Sequence, residues 1–207
     1  YMSSLSRDIT VVTVNWYSTD HLVRLFENLV EKAEKPEFLR FLVMDNTRGK
    51  DDRLKTGMEE FRSRLYQKRD RHFDDSEQEV QVDVHVTTGP GLTGSHAHAQ
   101  ALDQAMPLIT SPWTLILDPD VHVFAENWDS LLLNVMETAV FAGAPYPFWK
   151  LGKYHDFPSP VFLFTATERL RELNQPWTPF ATSAFVRLYH FLARQVVRLG
   201  FLANRRR

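Results

Sequence analysis

The most chemically loaded triplet of this 207-residue chain is Asp118-Pro119-Asp120, placed directly after the apolar run WTLIL. Two carboxylates one residue apart, pinned by a proline, present hard oxygen ligands to Mg²⁺ or Mn²⁺, and such a cation can bridge a diphosphate. The same triplet is also good turn chemistry, so its position carries more weight than its composition. Three other apolar runs end in the same polar manner: Thr13-Val14-Asn15, Asp45-Asn46 and Thr87-Thr88-Gly89. Ligands of open parallel sheets sit at the carboxyl ends of the strands. One such end is chance; four mark a site.

A glycine-rich turn follows the third run. Gly89-x-Gly91-x-x-Gly94 has dinucleotide-loop spacing, but Pro90 interrupts it and no acid ends a following strand at about 20 residues with the usual context. No lysine follows Gly94, which excludes a P-loop. The helix that starts there can still face an anion. His96 and His98 are two residues apart on that helix and point to different sides. They are poor joint metal ligands, and the spacing predicts one histidine facing the cleft and one facing solvent. No G-x-S-x-G elbow is present.

The elements that must position these residues alternate. Ile9 to Val14 reads as a strand buried on both faces. Ser18 or Thr19 can cap the helix that carries Leu22, Leu25, Phe26, Leu29 and Val30, and Pro36 stops it. Leu39 to Met44 is a second strand, so the two form a parallel, right-handed βαβ unit. Leu54, Met58, Phe61 and Leu65 keep one apolar stripe through a charge-rich, mostly solvated helix, and a loop is expected around Arg71 to Glu79. Val80 to Val86 alternates as a half-exposed strand. A helix through Met106, a buried strand Trp113 to Leu117 and a helix Trp128 to Val140 follow. Pro145 to Pro160 reads as a loop, Val161 to Phe164 as a strand, Glu168 to Leu173 as a helix and Ala184 to Leu202 as a last helix.

Composition narrows the function classes. The absence of cysteine excludes disulfide scaffolds, cysteine-held zinc, iron–sulfur clusters and thiol nucleophiles. A net charge of −2 gives no reason to expect nucleic acid as a partner. No run of 18 apolar residues offers a bilayer-spanning helix, and the first residues lack a secretory pattern, which predicts a cytoplasmic chain. The average conceals an asymmetry. Of 24 basic and 26 acidic residues, six arginines and no acid lie beyond Glu172, so the tail carries +6 on a body of −8. Arg187, His190, Arg194 and Arg198 form a stripe opposite Phe185, Leu188, Leu192, Val196 and Leu199. Such a helix suits peripheral contact with the anionic inner face of a membrane, or a core-packing helix with snorkelling arginines.

Taken in order, the strand ending at Asn15, LVMDN with Asp45, GPGLTGSHAHAQALDQA and LILDPDV resemble the family 2 glycosyltransferases of the GT-A fold. VFLFTATERLREL (161–173), followed by Trp177, resembles their acceptor-side segment, and the likeness spans about residues 8–177. It implies one α/β, Rossmann-like GT-A domain over 1–177, with a mostly parallel sheet flanked by helices and a basic helical segment over 178–207. It further implies inverting, Mn²⁺- or Mg²⁺-dependent transfer of a sugar, from a nucleotide-diphosphate donor such as a UDP-sugar, to a saccharide, lipid-linked or protein acceptor. By position, Thr13, Val14 and Asn15 would flank the nucleotide and Asp45 would bond the base. Gly94 would lie beside sugar or phosphates, Asp118 near the ribose or the metal, and Asp120 on the metal. The chain departs from the pattern where the catalytic acid is usually carried. Thr178 to Ser183 contains no carboxylate, leaving Asp156 as the nominated base, with His155, Glu168 and Glu172 behind it. Two rivals stand beside this reading. A nucleotidyltransferase would need a glycine-rich basic loop after the first strand, where Asn15-Trp16-Tyr17-Ser18 offers none; a degenerate module would bind nucleotide-sugar without transferring it.

Overall fold

The computed structural model describes residues 6–69, 80–89, 94–146, 158–174, 176–177, 192 and 195. Its elements in chain order are β1 (Ile9–Asn15), α1 (Thr19–Lys32), β2 (Leu39–Asp45), α2 (Asp52–Arg69), β3 (Gln81–Val86), α3 (Gly94–Ala105), β4 (Trp113–Leu117), α4 (Trp128–Val135), β5 (Phe141–Pro145), β6 (Pro158–Ala166) and α5 (Thr167–Leu173). The strands form one sheet in the order β3-β2-β1-β4-β6-β5. Strands β1 to β4 are parallel, and β6 runs antiparallel to both β4 and β5. The α/β architecture with a mostly parallel sheet is therefore as the sequence predicts.

The order of the strands fixes where a ligand can enter. The chain builds outward from β1 to β2 and β3, then returns to place β4 on the other side of β1. The crossover from β1 to β2 runs over one face through α1 and that from β3 to β4 over the other through α3, which opens a crevice at the carboxyl ends of β1 and β4. Alternation then divides the side chains. Val11, Phe41, Val43 and Leu115 face α1, α2 and α4, whereas Val12, Leu42, Met44 and Ile116 face α3 and α5. The first face is anchored by Phe26, Phe41 and Phe61, whose ring centroids lie 4.2, 5.6 and 5.9 Å apart. Each fully buried ring contributes about 1.5–3 kcal/mol. Across β4 and β6, Trp113 stacks on Phe164 at 5.7 Å.

Four local departures from the sequence expectation have identifiable causes. Ser18 occupies the N-cap of α1, but its hydroxyl does not cap the helix; it donates to Asn15 instead. Helix α4 ends at Val135 rather than Val140, because Glu137 and Thr138 bond back three residues and tighten the last turn; Phe141–Pro145 then pairs with β6 as a strand. Strand β6 is longer than expected, starting at Pro158. On the edge strand β3, Val82 joins the core cluster that includes Met58 and Phe61 of α2 and is buried, whereas Val84 and Val86 lie outside that cluster and are exposed. The expected loop at 71–79 lies outside the described residues, as does the expected Ala184–Leu202 helix, apart from the helical Leu192 and Gln195.

Where α2 crosses α1, Gly57 leaves room for Thr19: a Cβ there would sit 2.6 Å from Thr19 Cγ2. Thr19 cannot turn aside freely, since its hydroxyl donates to Asp51 at 2.7 Å. Alanine would gain about 1 kcal/mol of helix propensity, against about 1–3 kcal/mol of overpacking. Gly57→Ala is therefore expected to lower the urea midpoint at unchanged m-value, and adding Thr19→Ser, which removes the obstructing methyl and keeps the hydroxyl, to restore it.

Candidate functional site

The carboxyl edge of the sheet carries two polar clusters, one on each face. The first is built on Asn15 and Asp45, register partners on β1 and β2 that are 0% and 2% exposed. Asn15 Nδ2 donates to Asp51 Oδ2 at 3.1 Å and to Asp45 Oδ1 at 3.4 Å. Its Oδ1 accepts from the amide and hydroxyl of Ser18 at 3.0 and 3.1 Å. Asp45 organises the loop that follows it: Oδ1 accepts from the Thr47 amide and hydroxyl at 3.0 and 2.6 Å, and Oδ2 from the Gly49 amide at 2.8 Å. The loop turns through Arg48 and Gly49, both left-handed at φ 62° and 74°. A base reaching Asp45 would share an oxygen with these donors. Asp51 closes the loop. Burial pushes its carboxyl up, but donors from Thr19, Asn15 and the Arg53 amide, with the Arg53 charge, outweigh that and hold it below 3.8.

The second cluster lies across β1, on the α3 face. The Asp118 amide donates to Val161 of β6 at 3.1 Å, and the Asp118 carbonyl accepts from the Val121 amide at 3.2 Å, closing a turn over Pro119 and Asp120. Asn28 of α1 holds the far side of this loop, donating to the Val123 carbonyl at 3.0 Å and accepting from the Val123 amide at 2.8 Å. Asp120 is exposed and Asp118 half-buried. From α3, His98 Nε2 approaches Asp118 Oδ1 to 3.9 Å. That is too far for a hydrogen bond, and Nε2 is buried with no partner among the described residues. Burial raises the Asp118 carboxyl; His98 draws it back and Asp120 adds to the rise. Burial lowers the His98 imidazole, against the pull of Asp118. His96 is exposed, so one histidine faces the site and one faces solvent, as the spacing predicts.

The remaining predicted residues sort by depth. Thr13 and Val14 are interior, one on each face, and back the site from beneath; the Thr13 hydroxyl has no partner among the described residues. Gly94 opens α3 at φ 57° with nothing within 4 Å of a Cβ, so glycine is needed there for conformation and not for space. Asp156 and His155 lie outside the described residues, as do residues 90–93 of the glycine turn. Glu168 and Glu172 are exposed on α5, and Glu172 pairs with Arg169 at 2.7 Å. Among the described residues, no three His, Asp or Glu side chains are gathered so as to hold a metal ion by themselves.

No protein-family model and no curated protein matches this sequence. Solved structures do. The mannosyltransferase PcManGT from Pyrobaculum calidifontis, in complex with GDP-Man and Mn²⁺, is 13% identical with a TM-score of 0.56, over 82% of this chain and 49% of its own. S. aureus TarS 1-349 matches at 13% identity and a TM-score of 0.51, over 82% and 50%. Its complex with UDP matches at 13% and 0.50, over 82% and 49%. The chain thus spans about half the length of the structures it matches, and it shares with them the GT-A type of fold.

Two features of the site escape a reading by strand ends. Asp51 lies six residues past Asp45, beyond the strand, and the signal that could have found it is the pair of carboxylates flanking one tight loop, with a buried amide at Asn15 to bridge them. The other is Trp16 and Tyr17, exposed at 61% and 50% and packed edge-to-face at 5.4 Å, with Tyr17 left-handed at φ 54°. A bulky residue in that region is strained, and such strain gathers at functional sites. Removing the Asp51 charge tests the first cluster. Asp51→Asn is expected to cost about 1–3 kcal/mol at pH 7, since it turns an amide donor toward Asn15 and Thr19. Because folding depresses the Asp51 carboxyl, its stabilisation is complete above about pH 4 and drains away as the pH falls through the folded-state value. Urea denaturation should therefore find the gap between variant and wild type narrowing below pH 4.

Proposed function

We propose that this chain is a nucleotide-sugar glycosyltransferase domain, moving a sugar from a nucleotide-diphosphate donor to an acceptor hydroxyl. The observation that carries the reading is the Asp118-Pro119-Asp120 turn at the β1/β4 crevice of a GT-A-type sheet, one strand away from the Asn15–Asp45–Asp51 cluster. In this reading the cluster and the exposed Trp16 receive the nucleoside, a UDP-sugar being the first donor to try. The half-buried Asp118, raised by desolvation, gains from a positive charge beside it, so the residues present fit a divalent cation. Asp118 and Asp120 would hold Mn²⁺ or Mg²⁺, which when bound would offset the charge of the departing diphosphate.

The chain's own residues supply the rest. The acceptor oxygen bonds to the anomeric carbon as the bond from that carbon to the diphosphate breaks, with inversion, and a base takes the hydroxyl proton. Asp156 is our candidate for that base. Acceptor class, a saccharide, a lipid-linked sugar or a protein, belongs to the same proposal, as does a cytoplasmic location with the arginine-rich tail against a membrane. Among the described residues, no helix is long and apolar enough to cross one. A second reading, a module that binds nucleotide-sugar without transfer, is favoured by the lack of a carboxylate in Thr178 to Ser183.

Calorimetry with UDP and GDP, with and without Mn²⁺, followed by donor hydrolysis, separates these. Metal-dependent binding with slow hydrolysis is expected; binding without hydrolysis selects the non-catalytic module, and no binding sinks both. Asp120→Ala should weaken Mn²⁺-dependent nucleotide binding about tenfold or more, by loss of a charged ligand. For the base, Asp156→Asn should lower transfer about 10²–10⁴-fold, and unchanged transfer disposes of that assignment.

A further inference from the structure

We infer that His98 is a metal ligand of this site, sharing one divalent cation with Asp118. The inference rests on the nucleotide-sugar reading above for what the metal serves, and on geometry for the ligand itself. His98 Nε2 is buried, without a hydrogen-bond partner among the described residues, and 3.9 Å from Asp118 Oδ1. A buried nitrogen left unpaired costs about 1–3 kcal/mol, so its persistence beside a half-buried carboxylate calls for a third party between them. Two ligands bound at about 2.1 Å to one cation lie no more than about 4.2 Å apart. The observed separation falls inside that limit.

The surroundings hold the imidazole to this task. Ala97, Ala99 and Ala101 are buried on either side of it, so α3 lies close against β1 and β2 and His98 is the long side chain of that stretch reaching toward β4. The backbone of Asp118 is fixed on both sides, by Val161 and Val121. With His98 and Asp118 as the inner ligands among the described residues, exposed Asp120 and the diphosphate oxygens would complete the coordination. An imidazole nitrogen changes which ion the site selects. Mg²⁺ prefers an all-oxygen octahedron, whereas nitrogen ligands favour transition metals in the order Mn²⁺ < Fe²⁺ < Co²⁺. The structure therefore assigns this site to a transition metal over Mg²⁺, with Asp118 as a direct ligand.

The test uses Mn²⁺ alone on the full chain, followed by pulsed electron paramagnetic resonance. Wild type should show nitrogen coupling from a directly bound imidazole, and His98→Ala and His98→Gln should both lose it. Both variants should also bind Mn²⁺ about tenfold or more weakly while Mg²⁺ binding falls less. Matching thermal melts confirm that each variant is folded, and His98→Gln keeps most of the side-chain volume. Absent nitrogen coupling, no Mn²⁺ binding at all, or wild-type Mn²⁺ affinity in both variants overturns the inference. Nucleotide binding is measured separately. If UDP and GDP fail to bind while the imidazole coupling is present, the transferase reading falls and the His98 assignment stands; nucleotide binding without coupling has the opposite meaning.

Discussion

Two carboxylates are buried within reach of one amide group, and much of the site depends on that amide being there. Asp45 and Asp51 would repel each other and resist desolvation if left alone. Asn15 donates to both, and its own oxygen is held by Ser18. The bridge joins the end of β1, the start of α1 and the loop from β2 to α2 into one unit. It also explains why α1 begins without a side-chain cap: Ser18 and Thr19 direct their hydroxyls to Asn15 and Asp51. Local helix stability has been exchanged for the shape of the crevice floor.

The two faces of the sheet solve different problems. On the α1 and α2 face, Asp45 and Asp51 are held by Asn15, Thr19, Thr47 and backbone amides, so the loop has its carboxylates already engaged. On the α3 face, the polar groups are left incomplete, with an unpaired imidazole nitrogen and a carboxylate raised by burial. Engaged carboxylates on one face and unsatisfied groups on the other would suit the proposed binding of an anion through a cation. Strand alternation alone creates it, since Asp45 and Asp118 end neighbouring-but-one strands on opposite pleats.

Much of this arrangement was legible in the residues, for physical reasons. Buried parallel strands are short apolar runs, and β1, β2 and β4, like the half-exposed β3 beside them, stop at polar residues, which located both the sheet and its polar carboxyl edge. The i, i+2 spacing of His96 and His98 sufficed to predict that only one would face inward. What stayed hidden depends on pairing partners distant in sequence. Nothing local distinguishes Val82 from Val84 and Val86, because the difference follows from which of them joins the core cluster with α2. Asp51 sits in a charge-rich stretch where an acid is unremarkable, and only the fold brings it to Asn15. Phe141–Pro145 became a strand because β6 was available to pair with it.

Helix α3 serves two masters. His98 points toward Asp118, while Asp103, farther along the same helix, accepts the backbone amide of Trp177 at 2.6 Å, and Trp177 packs against the core beneath α3. The chain leading to the arginine-rich tail is thus tied to the rod that carries the imidazole. Successive residues of a helix are rotated by about 100°. Inserting or deleting one residue between these positions would swing Asp103 a quarter-turn or more away from Trp177 while leaving His98 in place. The length of this segment is consequently as constrained as its chemistry, and variation in the chain should favour substitution over insertion between His98 and Asp103.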